Sequence, residues 1–153
     1  MTGPDPVSPV PPAQSQVPAP LIESYRRARY EVLAGPGIDL VVDRPDPWLA
    51  QLMARHQAPT AAVITAWNPF SQPLALPENR ARQARLKHEL VDAGCDWLPM
   101  LGHDPQGTWP GEEMLLVIGA SSGQLAQLGT RFDQNAILLA TRTDPVPRLL
   151  LLR

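Results

Sequence analysis

AILLAT (residues 136–141) and RLLLL (residues 148–152) are two apolar runs separated by a turn at Asp144-Pro145. Such runs with a short polar connection predict two antiparallel strands that close the fold as a hairpin. Upstream, short apolar runs alternate with amphipathic segments, which predict helices between strands. We therefore predict an α+β fold, with a mixed, mostly antiparallel sheet and helices packed mainly on one face, as in a two-layer sandwich. A small, fully parallel, doubly wound sheet is the alternative, and the closing hairpin argues against it.

The chain divides into a tail and one domain. Residues 1–20 hold seven of the 19 prolines, together with Ser, Gln and Val, and this composition predicts a disordered or polyproline-like tail. An unstructured extension is favoured over a ligand for a proline-binding module. Residues 21–153 form the predicted single α+β domain, since a chain of this length has little room for a second.

Composition excludes several classes of function. The net charge of −2 argues against nucleic acid as a bulk electrostatic partner. Cys95 is the only cysteine, which excludes an internal disulfide and fits a reducing cytoplasm. No apolar stretch approaches the length of a membrane span, the start of the chain does not resemble a secretory signal, and the three histidines are scattered. We expect a cytoplasmic bacterial protein with no membrane contact, metal or cofactor.

The three asparagines, Asn68, Asn79 and Asn135, each stand at the end of a predicted element. On a helical wheel, Asn79 and Gln83 continue the apolar face of the long helix predicted over residues 77–93. The chain leaves one strand at Asn68 and enters another at Gln134. If these two strands are adjacent and antiparallel, their polar ends meet at one edge of the sheet. A helix N-terminus at the same place suits an anion or a polar ligand.

These placements predict one ligand-binding cluster, in which Glu112 is the only candidate acid or base and Gln134, rather than Asn135, points inward. Its residues are Thr65, Asn68, Asn79, Glu112 and Gln134. The alternative is structural, because Asn-Pro commonly starts a turn and an asparagine near a helix start commonly caps it. Trp67 and Trp109 flank the cluster and either fill the core or floor a pocket.

Four basic residues on the long helix, Arg80, Arg82, Arg85 and Lys87, scatter over two faces. A nucleic-acid-binding helix would present them on one face, so a solvated surface is the favoured interpretation. No phosphate-binding loop, dinucleotide fingerprint or nucleophile-elbow motif is present in the sequence.

A set of short motifs carries a resemblance to a known family. The motifs are Thr65-Ala66-Trp67-Asn68-Pro69, Glu78-Asn79 followed by Leu86 and Leu90, Trp109-Pro110 ahead of Glu112, and Phe132 with Gln134-Asn135-Ala136. In order and spacing they resemble the bacterial domain-of-unknown-function family numbered 3293, over about residues 22 to 152. The resemblance implies no activity. The family pattern usually has a small polar residue, often Ser, where this chain has Met114.

Two classes of function remain open from the sequence. The first is a small-molecule binding domain or enzyme with an amide-lined polar site at one sheet edge. The second is a non-catalytic protein-interaction or regulatory domain, in which the amides only fix loops. The sequence predicts neither an oligomeric state nor a reaction.

Overall fold

The structure, a computed structural model, describes residues 10–35 and 37–153. Within these residues it has four α-helices, seven strands and two 3-10 turns, at Pro12–Gln14 and Pro69–Ser71. The helices are α1 (Ala19–Arg27), α2 (Pro47–Arg55), α3 (Leu76–Asp92) and α4 (Ser122–Arg131). The strands are β1 (Arg29–Val32), β2 (Asp39–Leu40), β3 (Thr60–Ile64), β4 (Asp96–His103), β5 (Glu112–Ile118), β6 (Ala136–Thr141) and β7 (Arg148–Leu151).

One sheet contains the seven strands of the described residues in the order β2-β1-β4-β5-β3-β6-β7. Every neighbouring pair is antiparallel, including the predicted hairpin of β6 and β7, where Leu138 lies opposite Leu149. The α+β prediction is therefore confirmed, and the fully parallel alternative is wrong.

Helices cover both faces of the sheet, which corrects the predicted two-layer arrangement. Leu49, Leu52 and Met53 of α2 pack on the face that carries Val63, and α1 lies near Leu149 on that same face. On the opposite face, α3 and α4 pack against the side of β3 that carries Ala62 and Ile64. The cause lies in the central strands: all five residues of β3 are buried, so each face of the sheet needs an apolar cover.

Local side-chain signals position the starts of two of these helices. The Asp46 side chain accepts a hydrogen bond from the backbone N of Trp48 at 2.8 Å and caps α2, with Pro47 at its first position. Ser121 and Gln124 form a reciprocal capping box at the start of α4. Both helices therefore begin where their side chains satisfy otherwise unpaired backbone N–H groups.

Ordered contacts begin earlier than the predicted domain boundary at residue 21. Val17 is buried against Ile22 and Leu151 in a small apolar cluster. The Ser15 hydroxyl donates to the backbone oxygen of Arg153, which also accepts from the backbone N of Gln16 at 3.2 Å. The end of the proline-rich segment is thus joined to the end of the chain. Residues 1–9 of the predicted tail lie outside the described residues.

Across residues 10–35 and 37–153, none of the helices combines the length and the apolar character that a membrane crossing requires.

Candidate functional site

A cavity of about 390 Å³ lies at the ends of the central strands β3, β5 and β6 and is lined by all five residues of the predicted cluster. Strand β3 is antiparallel to both of its neighbours, β5 and β6. The C-terminal end of β3 therefore meets the N-terminal ends of β5 and β6, and these three ends supply Thr65, Glu112 and Gln134. The condition on which the predicted cluster depended, that β3 and β6 are adjacent and antiparallel, is met.

The Gln83 side chain of α3 fastens the exit of β3 to the start of β5. Its Oε1 accepts from the backbone N of Ala66 at 2.9 Å, and its Nε2 donates to the backbone oxygen of Glu113 at 3.2 Å. The Thr65 hydroxyl lies 2.7 Å from the same Glu113 oxygen and 3.1 Å from Gln83 Oε1. Burial makes each of these bonds costly to break, because the abandoned group has no access to water.

A second set of amide bonds joins Asn79 to Asn68. The Asn79 Oδ1 accepts from the backbone N of Asn68 at 2.8 Å, and its Nδ2 donates to Asn68 Oδ1 at 2.7 Å. Asn68 Oδ1 also accepts from the backbone N of Leu74 at 3.0 Å. We call Asn68, Asn79 and Gln83 the amide clamp, since they hold the loop after β3 against α3.

Glu112 is the only ionisable carboxyl group on the cavity lining of the described residues. Its Oε1 accepts from Asn68 Nδ2 at 3.0 Å, while Oε2 accepts no hydrogen bond from the described residues. Burial raises the pKa of the Glu112 carboxyl, and the Asn68 hydrogen bond opposes that rise. Burial raises the pKa of the Tyr30 hydroxyl, and the charges of Tyr25 and Glu112 add to the rise.

Gln134 and Asn135 both line the cavity, which corrects the prediction that only Gln134 points inward. Gln134 Nε2 donates to the backbone oxygens of Trp67 at 3.2 Å and Phe132 at 3.1 Å. Asn135 Nδ2 donates to the Tyr25 hydroxyl at 3.0 Å. Alternation of side chains begins only where β6 begins, at Ala136, so it does not govern the two residues before it.

Sequence reasoning missed a hydroxyl pair, Tyr25 and Ser71. The two hydroxyl oxygens are 2.5 Å apart, and both accept from Asn135 Nδ2. The residues are 46 positions apart in the chain and come from α1 and the loop after β3, so no local pattern could have joined them.

The loop that delivers Asn68 and Ser71 has an unusual backbone. Asn68, Phe70 and Ser71 have φ angles of 45°, 52° and 58°, in the left-handed region that is disfavoured for residues with a Cβ atom. The backbone N of Phe70 donates to the oxygen of Asp133 at 2.7 Å, and this bond helps to hold the turn. Such strain persists only where surrounding contacts determine the conformation, and it is concentrated at functional sites.

Arg82 differs from the other basic residues of α3. Its Nε donates to the backbone oxygen of Ala66 at 2.7 Å, and its Nη2 donates to that of Phe132 at 2.6 Å. The guanidinium group thus ties the exit of β3 to the loop before β6. Arg80, Arg85 and Lys87 are exposed, so the predicted solvated surface holds for them and is wrong for Arg82.

Apolar and aromatic side chains form the rest of the cavity wall. Trp67 and Trp109 both line it, together with Met114. Met114 Sδ and Cε occupy the space where a Cβ on Gly102 would stand, so this methionine fits because position 102 lacks a side chain. No group of three or more His, Cys, Asp or Glu side chains within the described ranges is arranged to hold a metal ion.

No curated protein and no solved structure matches the chain. A family model matches residues 64–137, a shorter range than the resemblance covers, and this range includes the amide clamp, Glu112 and Gln134. The family is described as "Protein of unknown function (DUF3293)", and residues 64–137 of the chain are similar to it.

Proposed function

We propose that the cavity binds a small molecule, and that the domain is a small-molecule binding protein or an enzyme that acts on this molecule. The observation that carries the proposal is Glu112, a carboxyl group on the cavity lining that uses only one of its oxygens within the described residues. The volume of about 390 Å³ lies within the range of small-molecule sites, and the mixture of apolar wall and few polar groups is typical of them.

An enzymatic role would depend on proton transfer by Glu112. A raised pKa brings a carboxyl group closer to neutral pH, where it exchanges protons most effectively with a bound substrate. The Asn68 hydrogen bond fixes the orientation of the carboxyl group. We propose no named reaction. The proposal is for a cytoplasmic protein that does not bind nucleic acid, in keeping with the net charge of −2 and the single cysteine.

The second candidate is a non-catalytic interaction or regulatory domain. The amide clamp favours it, because Asn68, Asn79 and Gln83 direct their hydrogen bonds to loop backbone and to one another. The two candidates differ in what they require of the cavity. A binding site must hold a ligand in the cavity, whereas loop fixation works equally well with a filled cavity.

Native mass spectrometry of the full chain with an Ala136→Phe variant separates the two candidates. Ala136 is half-buried and lines the cavity, so a phenyl ring there occupies ligand space. We expect the wild-type chain to carry a co-purified small molecule and the variant to lose it. Ala84→Phe, on the exposed side of α3, is the matched control and should keep the ligand.

Two results would count against a binding site. One is a wild-type chain that carries no bound mass after gentle purification. The other is a bound mass that survives Ala136→Phe in a variant whose thermal melting shows a cooperative fold.

A further inference from the structure

The charge of the cavity lining has one sign. Its lining residues among those described include no lysine, arginine or histidine, and Glu112 is their only ionisable group apart from tyrosine hydroxyls. Residues 1–9 and Pro36, which the structure does not describe, add no basic side chain either. Phosphate and carboxylate ligands are normally bound by arginine, lysine or free backbone N–H groups. This lining lacks the side chains that bind them.

Three side-chain oxygens on the cavity lining are open hydrogen-bond acceptors. Glu112 Oε2, Gln134 Oε1 and Asn135 Oδ1 accept no hydrogen bond from the described residues, whereas both amide groups donate twice through their nitrogens. Gln134 and Asn135 are 9% and 5% exposed, so their open oxygens belong to side chains that are at least nine-tenths buried. We call these three residues the acceptor wall.

Acceptors on a cavity wall that have no protein partner can accept hydrogen bonds from a ligand that supplies donors. A protonated amine offers three N–H donors and no acceptor, which complements a wall of one carboxylate and two amide oxygens. An alcohol offers one donor, and a carboxylate offers none. The ligand group that best fits the acceptor wall is therefore an ammonium group.

The rest of the lining suits the body of such a ligand. Tyr25, Tyr30, Trp67 and Trp109 contribute four aromatic side chains to one cavity. Aromatic faces attract cations and stack on flat apolar groups. The cavity therefore suits a positively charged ligand with an aromatic body. Its acidic and aromatic groups attract the charge, and its aromatic side chains pack against the apolar surface of the ligand.

The N-terminus of α3 would favour an anion. Its dipole amounts to only roughly half a unit charge at the helix terminus. Glu78 already lies in the first turn of α3 and supplies negative charge there. The full charge of Glu112 on the cavity lining outweighs this contribution.

We infer that the cavity selects a primary amine with an aromatic body and rejects carboxylates and phosphates of the same size. The inference rests on the proposed function and specifies its ligand class. The ammonium group would bind Glu112, with Gln134 and Asn135 as further acceptors, and the aromatic body would lie against the tryptophans and tyrosines.

Isothermal titration calorimetry of the full chain tests the inference with three indole compounds that differ only in the head group: tryptamine, tryptophol and indole-3-acetate. We expect tryptamine to bind at least about tenfold more tightly than tryptophol, since a hydrogen bond to a charged group contributes about 1.5–3 kcal/mol. Indole-3-acetate should show no measurable binding. In Glu112→Gln, tryptamine should weaken to the affinity of tryptophol, and tryptophol should change little.

Glu113→Gln is the matched control, because it makes the same charge change at the neighbouring, exposed carboxyl group on the other side of β5. It should leave the preference for tryptamine intact. Glu112→Gln retains an oxygen that accepts from Asn68, so its fold can be checked by thermal melting before titration.

Several results would overturn the inference: equal affinity for tryptamine and tryptophol, a preference for indole-3-acetate, tryptamine affinity unchanged by Glu112→Gln, or no binding of any of the three at millimolar concentration. The proposed function is decided separately, by the bound mass in native mass spectrometry. A bound mass that is not an amine would overturn this inference and support the binding site.

Discussion

The amide clamp and the acceptor wall are built from the same kinds of side chain at the same end of the sheet, and they differ in where their hydrogen bonds go. Gln83 in the clamp uses its Oε1 and Nε2 on the backbone of two strand ends. Gln134 in the wall uses only its Nε2 and leaves its Oε1 without a donor among the described residues. An amide side chain has a structural role when all its hydrogen-bonding groups are paired within the chain. It becomes a candidate ligand-binding group when one of its donors or acceptors has no partner in the chain.

Substitution of Gln83 should cause the largest loss of stability. Gln83→Ala removes the partner of the buried backbone N of Ala66 and one donor to Glu113 O, so we expect a loss of about 2–4 kcal/mol in the free energy of unfolding. Chemical denaturation measures the loss. Gln83→Met keeps the volume and should lose nearly as much, which attributes the effect to hydrogen bonds. Gln127→Ala, exposed on α4, is the control. A loss no larger than that of the control would remove Gln83 from the clamp.

Asn79→Ala should cost less, about 1–3 kcal/mol, because part of its hydrogen bonding lies nearer the cavity. Asn79→Asp sharpens the comparison. It keeps the acceptor for the backbone N of Asn68 but replaces the donor to Asn68 Oδ1 with a second acceptor. The aspartate variant should therefore be no more stable than the alanine variant at neutral pH. An aspartate variant as stable as the wild type in urea denaturation would show that the Asn79–Asn68 side-chain bond contributes little.

The left-handed backbone at Asn68 should give a smaller effect. Asn68→Ala and Asn68→Gly lose the same side-chain bonds, but only alanine keeps a Cβ atom at a φ of 45°. We expect the glycine variant to be more stable than the alanine variant by about 1 kcal/mol. The difference between their denaturation midpoints isolates the backbone term. Equal midpoints would mean that the loop relaxes out of this conformation without cost.

Glu112→Gln should have the smallest effect on the free energy of unfolding, and it should raise this free energy where the other substitutions lower it. Burial raises the folded-state pKa of Glu112 above the unfolded value, so the folded chain holds a proton that the unfolded chain has released. The free energy of unfolding therefore falls as pH rises through the interval between these two pKa values, and it stays lower above it. The glutamine variant lacks this penalty, so it should be more stable than the wild type at pH 7 and similar to it below about pH 4. Thermal melting across this range measures the effect. A variant that is less stable at every pH would place Glu112 with the clamp.

The elements at the sheet edge could be predicted where local chemistry governs them. Asp46 and Ser121 identify helix starts, because a side-chain oxygen satisfies backbone N–H groups two or three residues away. Asn79 and Gln83 could be placed inward, because a helix repeats its face every three to four residues. The prediction that Asn135 points away from the cavity is wrong because Asn135 precedes the regular strand. Tyr25 and Ser71 gave no local signal, since their contact joins distant parts of the chain.

The distribution of helices over the two faces of the sheet could not be predicted from local sequence either. The continuous burial of β3 follows from its sequence, and it requires apolar cover on both faces. Which helix supplies each cover depends on the paths of the connections, and α3 and α4 share one face while α1 and α2 share the other. A hairpin at the end of the chain could predict antiparallel pairing but not this distribution of helices.

By itself, the sequence predicted an α+β class with mostly antiparallel pairing, the helix caps, and a cluster of five residues on the condition that β3 and β6 are adjacent and antiparallel. These depend on short-range hydrogen bonds, on the periodicity of helix and strand, and on the direction of the chain at each strand end. Only the tertiary structure decided which amide groups are fully hydrogen-bonded within the chain and which side-chain oxygens have no donor. The number of hydrogen-bond donors and acceptors on a side chain is a property of its residue type. How many of them are left without a partner depends on residues that the fold brings from far along the chain.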